Sequence, residues 1–527
     1  KFVNWLFSSG VDHSLKAQGN LQSKFNRASK VSSEQHLGDP LRALSAHYLS
    51  GTLLAEVSAA GQDGTAKIYE VEPTVIRPKG QSVVCPRDGR LGAAYVDCVH
   101  DDDNAGMATI MLSYTWRYLI GEVVDTVLHY CQLKQFEPKR TYIWMCCFCI
   151  NQHRVREAQA TGACIPFEEF REEFGGRVKG ISHILAMMDC WEGPAYIKRI
   201  WCVFELYTAV AEAEQGCVLD IMMPPRQAED FALAIADSSS GDRLARLWRS
   251  LAAVNVAHAE ASVEIDRVNI MQLIDTSIGC SRLNAEVVKC LQTWFAHAAE
   301  ESARCAFKQN HAFDVTANSC TAAAHMLVQL GYLDRAKSLL EAAQQQLSAS
   351  NALETRFFAS ILRHRGVVSR RQGYLPEALE YYQKSYELLG RLGLLESSEG
   401  VELITNLGNA FVQCKNLDKG LEFLMSAARI ATDLGRMNTI EGAMLNLSIG
   451  NVKRKQGRSE EALEFCIQAK RILQENDALG TPPGASVLKD IGITFEMLDS
   501  FDQAVAHYAQ ARGVFEAMGT LGAPAGV

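Results

Sequence analysis

The chain has 527 residues, 48% hydrophobic and 21% charged, the balance of a folded protein with about three to four domains of roughly 150 residues each. A wholly disordered chain is excluded, and 38 Gly against only 13 Pro excludes a collagen-like or low-complexity one. A net charge of −9, from 52 basic and 61 acidic residues, argues against a nucleic-acid binder.

The 16 cysteines are spread along the chain, with Cys146, Cys147 and Cys149 close together. They resemble neither a disulfide framework nor a zinc spacing, so reduced, mostly buried thiols in a reducing, cytoplasmic setting are expected and no metal site is. No apolar run approaches roughly 18 residues, so no membrane insertion is expected. The chain opens at Lys1 rather than Met, which leaves a targeting signal upstream open.

Residues 1–80 are read as an N-terminal segment. SSEQHLGDPLRALSAHYLSGTLLAEV suits one or two helices, whereas KIYEVEPTVIRPKG and SVVCPRDGRLGAAYVD look like irregular segments or edge strands. Asp101, Asp102 and Asp103 form an acidic turn, read as a solvated loop.

Residues 81–240 alternate strand and helix signals. ATIMLSYTW is a short apolar strand, GEVVDTVLHYCQLKQF an amphipathic helix, and TYIWMCCFCI a buried strand. In that strand Cys147 and Cys149 would share a face opposite Cys146. FEEFREEFGGRVKGI is a helix with a weak point at Gly175-Gly176. SHILAMMDC, RIWCVFELYTAVAEAE, CVLDIMMPP and RQAEDFALAIADS follow as strand, helix, strand and helix. This alternation predicts a parallel sheet covered by helices, with any ligand outside the carboxyl ends of the strands. There is no GxGxxG, no GxxxxGK[ST] and no Gly-flanked nucleophilic Ser, so nucleotide-fold fingerprints and a hydrolase elbow are absent.

The strand IMLSYTW and the helix RIWCVFELYTA resemble two motifs of TIR domains: an apolar strand ending in a Ser-aromatic step, and Trp-Cys before a helix carrying Glu-Leu. The resemblance covers about residues 105–240 and implies a flavodoxin-like α/β fold. The long loop CINQHRVREAQATGACIPF departs from TIR spacing, and its FCINQ resembles the related heterokaryon-incompatibility domains. In TIR domains that cleave NAD, the Glu of that helix is catalytic, which implies a catalytic role for Glu205. NAD would be a substrate rather than a resident cofactor. Loss of nicotinamide leaves an oxocarbenium-like ribose that a carboxylate can stabilise. By the same resemblance Ser113 would contact the ligand, Tyr114 and Trp116 would stack on its rings, and Arg117, Arg177 and Lys179 would face its diphosphate. Many TIR domains only self-associate, and in that reading Glu205 is a solvated helix residue with Trp201 and Cys202 in the core.

Residues 241–307 read as a helical connector. From 308 to 527 the chain repeats. Ala336, Ala378, Gly420, Ala462 and Ala504 stand 42 residues apart, and so do Ala343, Ser385, Ala427, Ala469 and Ala511. Ala324, Gly366, Gly408, Gly450 and Gly492 keep the same period. Small residues at fixed offsets let two antiparallel helices approach closely. Gly331, Gly373 and Gly457 fall between the helices of a pair, with Lys415 and Asp499 in the same register; Gly393, Gly435 and Gly519 suit the end of the second helix. Five gapless units resemble a tetratricopeptide (TPR) array. Their length exceeds the usual ~34 residues and is similar to that of kinesin light chains.

A TPR superhelix lines its concave face with the first helix of each pair. The residues placed there are Arg363, Arg370, Asn406, Asn409, Asn451, Arg454, Lys455 and Lys489. Asn can bond both polar groups of an extended peptide backbone, while Arg and Lys favour an acidic segment; the plain alternative is a set of solvated helix residues. The fold class expected is thus a TIR-like α/β domain followed by an all-α TPR solenoid. The function expected is that of a signalling adaptor that binds a protein partner, with self-association and NAD cleavage in the α/β domain. The alternative is a non-catalytic scaffold or cargo adaptor.

Overall fold

The computed structural model describes residues 36–161, 167–213, 216–236, 247–248, 250–251, 253–261, 264–308 and 313–517. Gly519 lies outside them. The chain divides into two compact units, Lys1–Ala228 with Asn255–Cys290 and Glu229–Val254 with Leu291–Val527.

The first unit is built on a six-stranded sheet of order β2-β1-β4-β3-β5-β6. The strands are β1 (Arg42–Ser45), β2 (Ala105–Met107), β3 (Ile110–Ser113), β4 (Tyr142–Trp144), β5 (His183–Met187) and β6 (Val218–Met222). β4, β3, β5 and β6 are parallel, in register through Met111↔Trp144, Ser113↔Ala186 and Leu185↔Asp220. β1 runs antiparallel to both β2 and β4, so the sheet is mixed around a parallel core. β3 and β5 are buried at every position. This is why their sequences are continuous apolar runs rather than alternations.

Several local expectations are corrected. TYIWMCCFCI is a strand only as far as Trp144; Cys146–Cys149 forms one helical turn entered from extended Met145. The sheet pairing ends at Trp144, and the backbone beyond it is satisfied locally, with Cys149 N–H donating to Met145 O at 2.9 Å. Arg87 adds a bond to the carbonyl of Cys149, at 2.9 Å. The face assignment of the three cysteines therefore fails. KIYEVEPTVIRPKG is helical over residues 68–80, with a wide turn at Glu72–Ile76. Its two prolines sit in the opening turns of successive helical segments, where a missing N–H costs little. The segment after FCINQ is not a loop throughout, because Gln152–Thr161 is a helix. The helix Phe167–Ile181 runs unbroken through Gly175 and Gly176. The sheet also takes β1 from within residues 1–80.

The second unit contains five consecutive helix pairs: Phe313–Gln329 with Leu333–Ala349, Arg356–Arg371 with Leu375–Arg391, Ser398–Gln413 with Leu417–Asp433, Ile440–Lys455 with Ser459–Glu475, and Pro482–Met497 with Phe501–Ala517. The repeated small residues are where the two helices of a pair meet. A Cβ on Gly366 would lie 2.5 Å from the Tyr382 ring, one on Gly408 2.8 Å from Leu424, and one on Gly492 2.6 Å from the Tyr508 ring. The turn register is left-handed throughout: Gly331, Gly373, Lys415, Gly457 and Asp499 have φ of 85°, 89°, 64°, 79° and 55°. Thr355, Ser397 and Thr439, again 42 residues apart, cap the first helices by accepting from the N–H three residues on, each at 3.3 Å.

Candidate functional site

Within the α/β unit, β3 is the point where strand order reverses, its neighbours being β4 and β5. A crevice outside the carboxyl ends opens at such a point. Ser113 is the last residue of β3, and the helix Ile200–Ala211 that carries Glu205 follows β5. That helix buries Ile200, Cys202, Val203, Phe204, Leu206, Thr208 and Ala209, which leaves Glu205 half-buried among apolar neighbours.

Ser113 Oγ donates to Glu205 Oε2 and also contacts the hydroxyl of Tyr196. Tyr196 is fully buried, in the short turn Ala195–Lys198 before the helix. Among the described residues no cation is ion-paired with Glu205. Burial pushes its carboxyl from the ordinary 4.5 up to about 8, while the Ser113 hydrogen bond pulls the other way. Beside it, Cys146 Sγ accepts from the indole N–H of Trp116 at 3.3 Å and lies 3.3 Å from the hydroxyl of Tyr114. Burial raises the Cys146 thiol, these two hydrogen bonds oppose that, and Glu205 raises it further.

Ser113, Tyr114, Trp116 and Glu205 thus gather around one corner of the sheet. Trp116 is half-exposed, whereas Tyr114 is buried with its hydroxyl accepting from Cys147 N–H at 3.3 Å. Arg117 is exposed. Arg177 pairs with Glu173 at 2.9 Å and lies over the Trp144 ring, and Lys179 pairs with Glu212 at 3.2 Å. No hydrogen bond or ion pair among the described residues joins Arg177 or Lys179 to Glu205. Sequence reading missed Tyr196 and Cys146. Tyr196 carries no motif of its own, and Cys146 was placed on a strand that ends before it.

Within the repeats, the first helices carry a second cluster. Arg363 pairs with Glu402 of the next first helix at 2.9 Å. Asn451 Nδ2 donates to Asp490 at 3.0 Å and its Oδ1 accepts from Arg454 at 2.9 Å; Arg454 also lies 3.6 Å from Asp490. Arg370 Nε reaches the Tyr382 hydroxyl at 3.4 Å. Lys455 is exposed and Lys489 half-buried. Between the two paired groups stand Asn406 and Asn409, both half-buried, and their side chains make no hydrogen bond among the described residues. His364 and Asp490 are the functional candidates that sequence reading passed over. Both share the register of Asn406, at 42 residues before and 84 after, so the period itself was the available signal.

Residues 441–517 match the tetratricopeptide repeat family model. The C-terminal part of this chain is a TPR array. The array is similar to BtubC (BKLC) from P. vanneervenii, at 18% identity over 43% of this chain and 91% of that one, with a TM-score of 0.34. It is also similar to the nearly identical TPR-like repeats of a Podosopora anserina chain described as a kinesin light chain, at 15% identity, 37% and 93% coverage and a TM-score of 0.31. A Rap protein complexed with competence and sporulation factor aligns at 13% identity over 60% of this chain and 77% of its own, with a TM-score of 0.36. No curated protein matches the chain. No helix among the described residues is long and apolar enough to cross a membrane.

Proposed function

We propose that the protein is an adaptor that binds an extended, acidic protein segment along the first helices of its TPR array. The observation that carries this is the pair Asn406 and Asn409, three residues apart on one helix. Their amides are half-buried and make no hydrogen bond among the described residues, between residues that already satisfy one another. Three residues is one helical turn, so both amides project from the same face and can each offer a donor and an acceptor to a peptide backbone. Arg370 and Lys455, which no ion pair among the described residues neutralises, offer positive charge in a chain of net charge −9, which favours an acidic ligand and a salt-sensitive association. The test is selection of displayed peptides on the full chain, repeated with Asn406→Ala/Asn409→Ala. Acidic sequences enriched on the first and lost on the second support the reading; enrichment indifferent to the substitutions refutes it.

A second reading concerns the α/β unit and is favoured by the hydrogen bond between Ser113 and Glu205 at the strand-order reversal. Together with the TIR resemblance of SYTW and WCVFEL, it supports cleavage of NAD to nicotinamide and ADP-ribose. The bond between the ribose C1′ and the pyridinium nitrogen breaks, nicotinamide leaves with the electron pair, and water adds at C1′ with loss of a proton. Glu205 in its ionised form would stabilise the cationic ribose, Ser113 would help hold it, and half-exposed Trp116 would meet a ring of the dinucleotide. The experiment is nicotinamide release from NAD by the purified chain at high protein concentration, beside Glu205→Ala. Equal background from the two proteins, with self-association confirmed by light scattering, returns the α/β unit to a non-catalytic scaffold.

A further inference from the structure

The hydroxyl group that reaches Glu205 is itself held by a second one. Ser113 Oγ has one hydrogen and touches two oxygens, Glu205 Oε2 and the Tyr196 hydroxyl. When Glu205 is ionised, that hydrogen belongs to the carboxylate, which can only accept. Ser113 then accepts from Tyr196, and the two hydroxyls donate in series toward the charge. When Glu205 is protonated the series can reverse, because the Tyr196 hydroxyl also lies 3.5 Å from the carbonyl of Cys202. Glu205 then donates to Ser113, Ser113 to Tyr196, and Tyr196 to Cys202 O, which leaves each hydroxyl hydrogen with an acceptor.

We propose that Tyr196, acting through Ser113, is a positioning residue that fixes the orientation and the proton of the Glu205 carboxyl. This rests on the catalytic reading of Glu205 for its consequence in turnover, but not for its geometry. Tyr196 is 0% exposed, so no water competes for its hydroxyl, and the turn Ala195–Lys198 anchors it directly before the helix that carries Glu205. The other titratable groups that face Glu205 are the thiols of Cys146, on the turn after β4, and of Cys202, on its own helix. Burial raises both, so they stay neutral beside Glu205. Arg199 acts on Cys202, and Tyr118 and Cys202 act on Tyr196. The hydroxyl series is therefore the adjustable contact to the carboxylate. A hydrogen bond to an ionised group is about twice as strong as one between neutral groups, so loss of Tyr196 Oη disfavours the ionised form more than the protonated one.

The test uses the full chain and three variants, Tyr196→Phe, Ser113→Ala and Glu205→Gln. Infrared titration follows the carbonyl band of the protonated buried carboxyl, assigned by its absence in Glu205→Gln. Tyr196→Phe removes only the hydroxyl and is expected to move the midpoint upward by about half a pH unit. Ser113→Ala, which cuts the same series one step nearer, should move it by about one unit. Nicotinamide release, where present, should shift its pH profile in Tyr196→Phe by the same amount at unchanged KM. An unmoved midpoint in Tyr196→Phe overturns the proposal, and so does an unmoved midpoint in Ser113→Ala should the tyrosine variant fail to fold. A moved midpoint without nicotinamide release from any protein upholds the relay and removes the NAD reading, so the two failures are distinguishable.

Discussion

Replacing Glu205 by Gln should make the α/β unit more stable, and more so as pH rises. Burial holds the carboxyl at about 8 against an ordinary 4.5. The folded state therefore binds this proton more tightly than the unfolded state does. Stability falls as pH rises from about 4.5, and the loss levels off above about 8. One pH unit between the two titrations corresponds to about 1.4 kcal/mol. At pH 6 the wild type has lost about 2 kcal/mol relative to full protonation in both states, and at pH 9 about 5 kcal/mol. Glutamine keeps an oxygen that can accept from Ser113 and has no proton to lose. The stability gap between variant and wild type should therefore widen by about 3 kcal/mol from pH 6 to pH 9. Urea unfolding followed by tryptophan fluorescence is the assay. Trp116, Trp144, Trp191 and Trp201 lie in the first unit and Trp248 and Trp294 in the second, so the wild type and the variant are compared on the transition of the first unit. Parallel pH dependences for the two proteins would refute the reasoning, because Glu205 would then titrate alike in the folded and unfolded chains.

Gly442→Ala should cost about 1–3 kcal/mol, since a Cβ there would stand 2.3 Å from the carbonyl oxygen of Met437, a backbone atom that cannot turn aside; thermal melting by circular dichroism reads it. Lys415→Gly should gain about 1 kcal/mol by relieving a φ of 64° at a turn where other repeats use Gly, visible as a higher urea midpoint. Asn406→Ala should change stability by less than about 0.5 kcal/mol while weakening binding of the selected acidic peptides, as measured by fluorescence anisotropy. Asp490→Asn should tighten the same peptides several-fold at low salt, because it unmasks Arg454; an unchanged affinity would place the ligand away from the last two repeats.

The repeats were legible because one period governs packing, turns and caps together. Ala378 and Gly366 can be read from the sequence as small, and the structure gives the reason: Tyr382 fills the space that a side chain on Gly366 would need. The left-handed turns at Lys415 and Asp499 show that register, not residue type, dictates the backbone there. A further glycine register, Gly400, Gly442 and Gly484, went unread. Each lies against a carbonyl five residues earlier, at Leu395, Met437 and Leu479, and only the entry of the connection into the next helix creates that approach. The α/β unit was legible in its parallel core and not at its edges. A fully buried strand and a buried helical turn are equally apolar, so nothing in TYIWMCCFCI marked the change at Met145. The prolines of 68–80 looked like breakers because the wide turn that absorbs them has no composition signal.

The site divides along the same line. Glu205 and Ser113 could be singled out because they lie in motifs, at a helix and a strand end that alternation alone predicts. What makes Glu205 chemically unusual was not legible, because it depends on residues distant in sequence. Ser113 stands 92 positions away and is itself held by Tyr196, from a turn with no distinguishing pattern. The repeat cluster differs in kind. Its residues stand 42 or 84 apart, so once one inner position is fixed the others follow by counting, and His364 and Asp490 follow from Asn406. Counting gives position and not engagement. Asn409 and Asn451 are equivalent by register, yet Asn451 is held between Arg454 and Asp490 while Asn409 is not. Ligand contact should therefore centre on the third first helix, Ser398–Gln413, where the period and the unmet hydrogen bonds coincide.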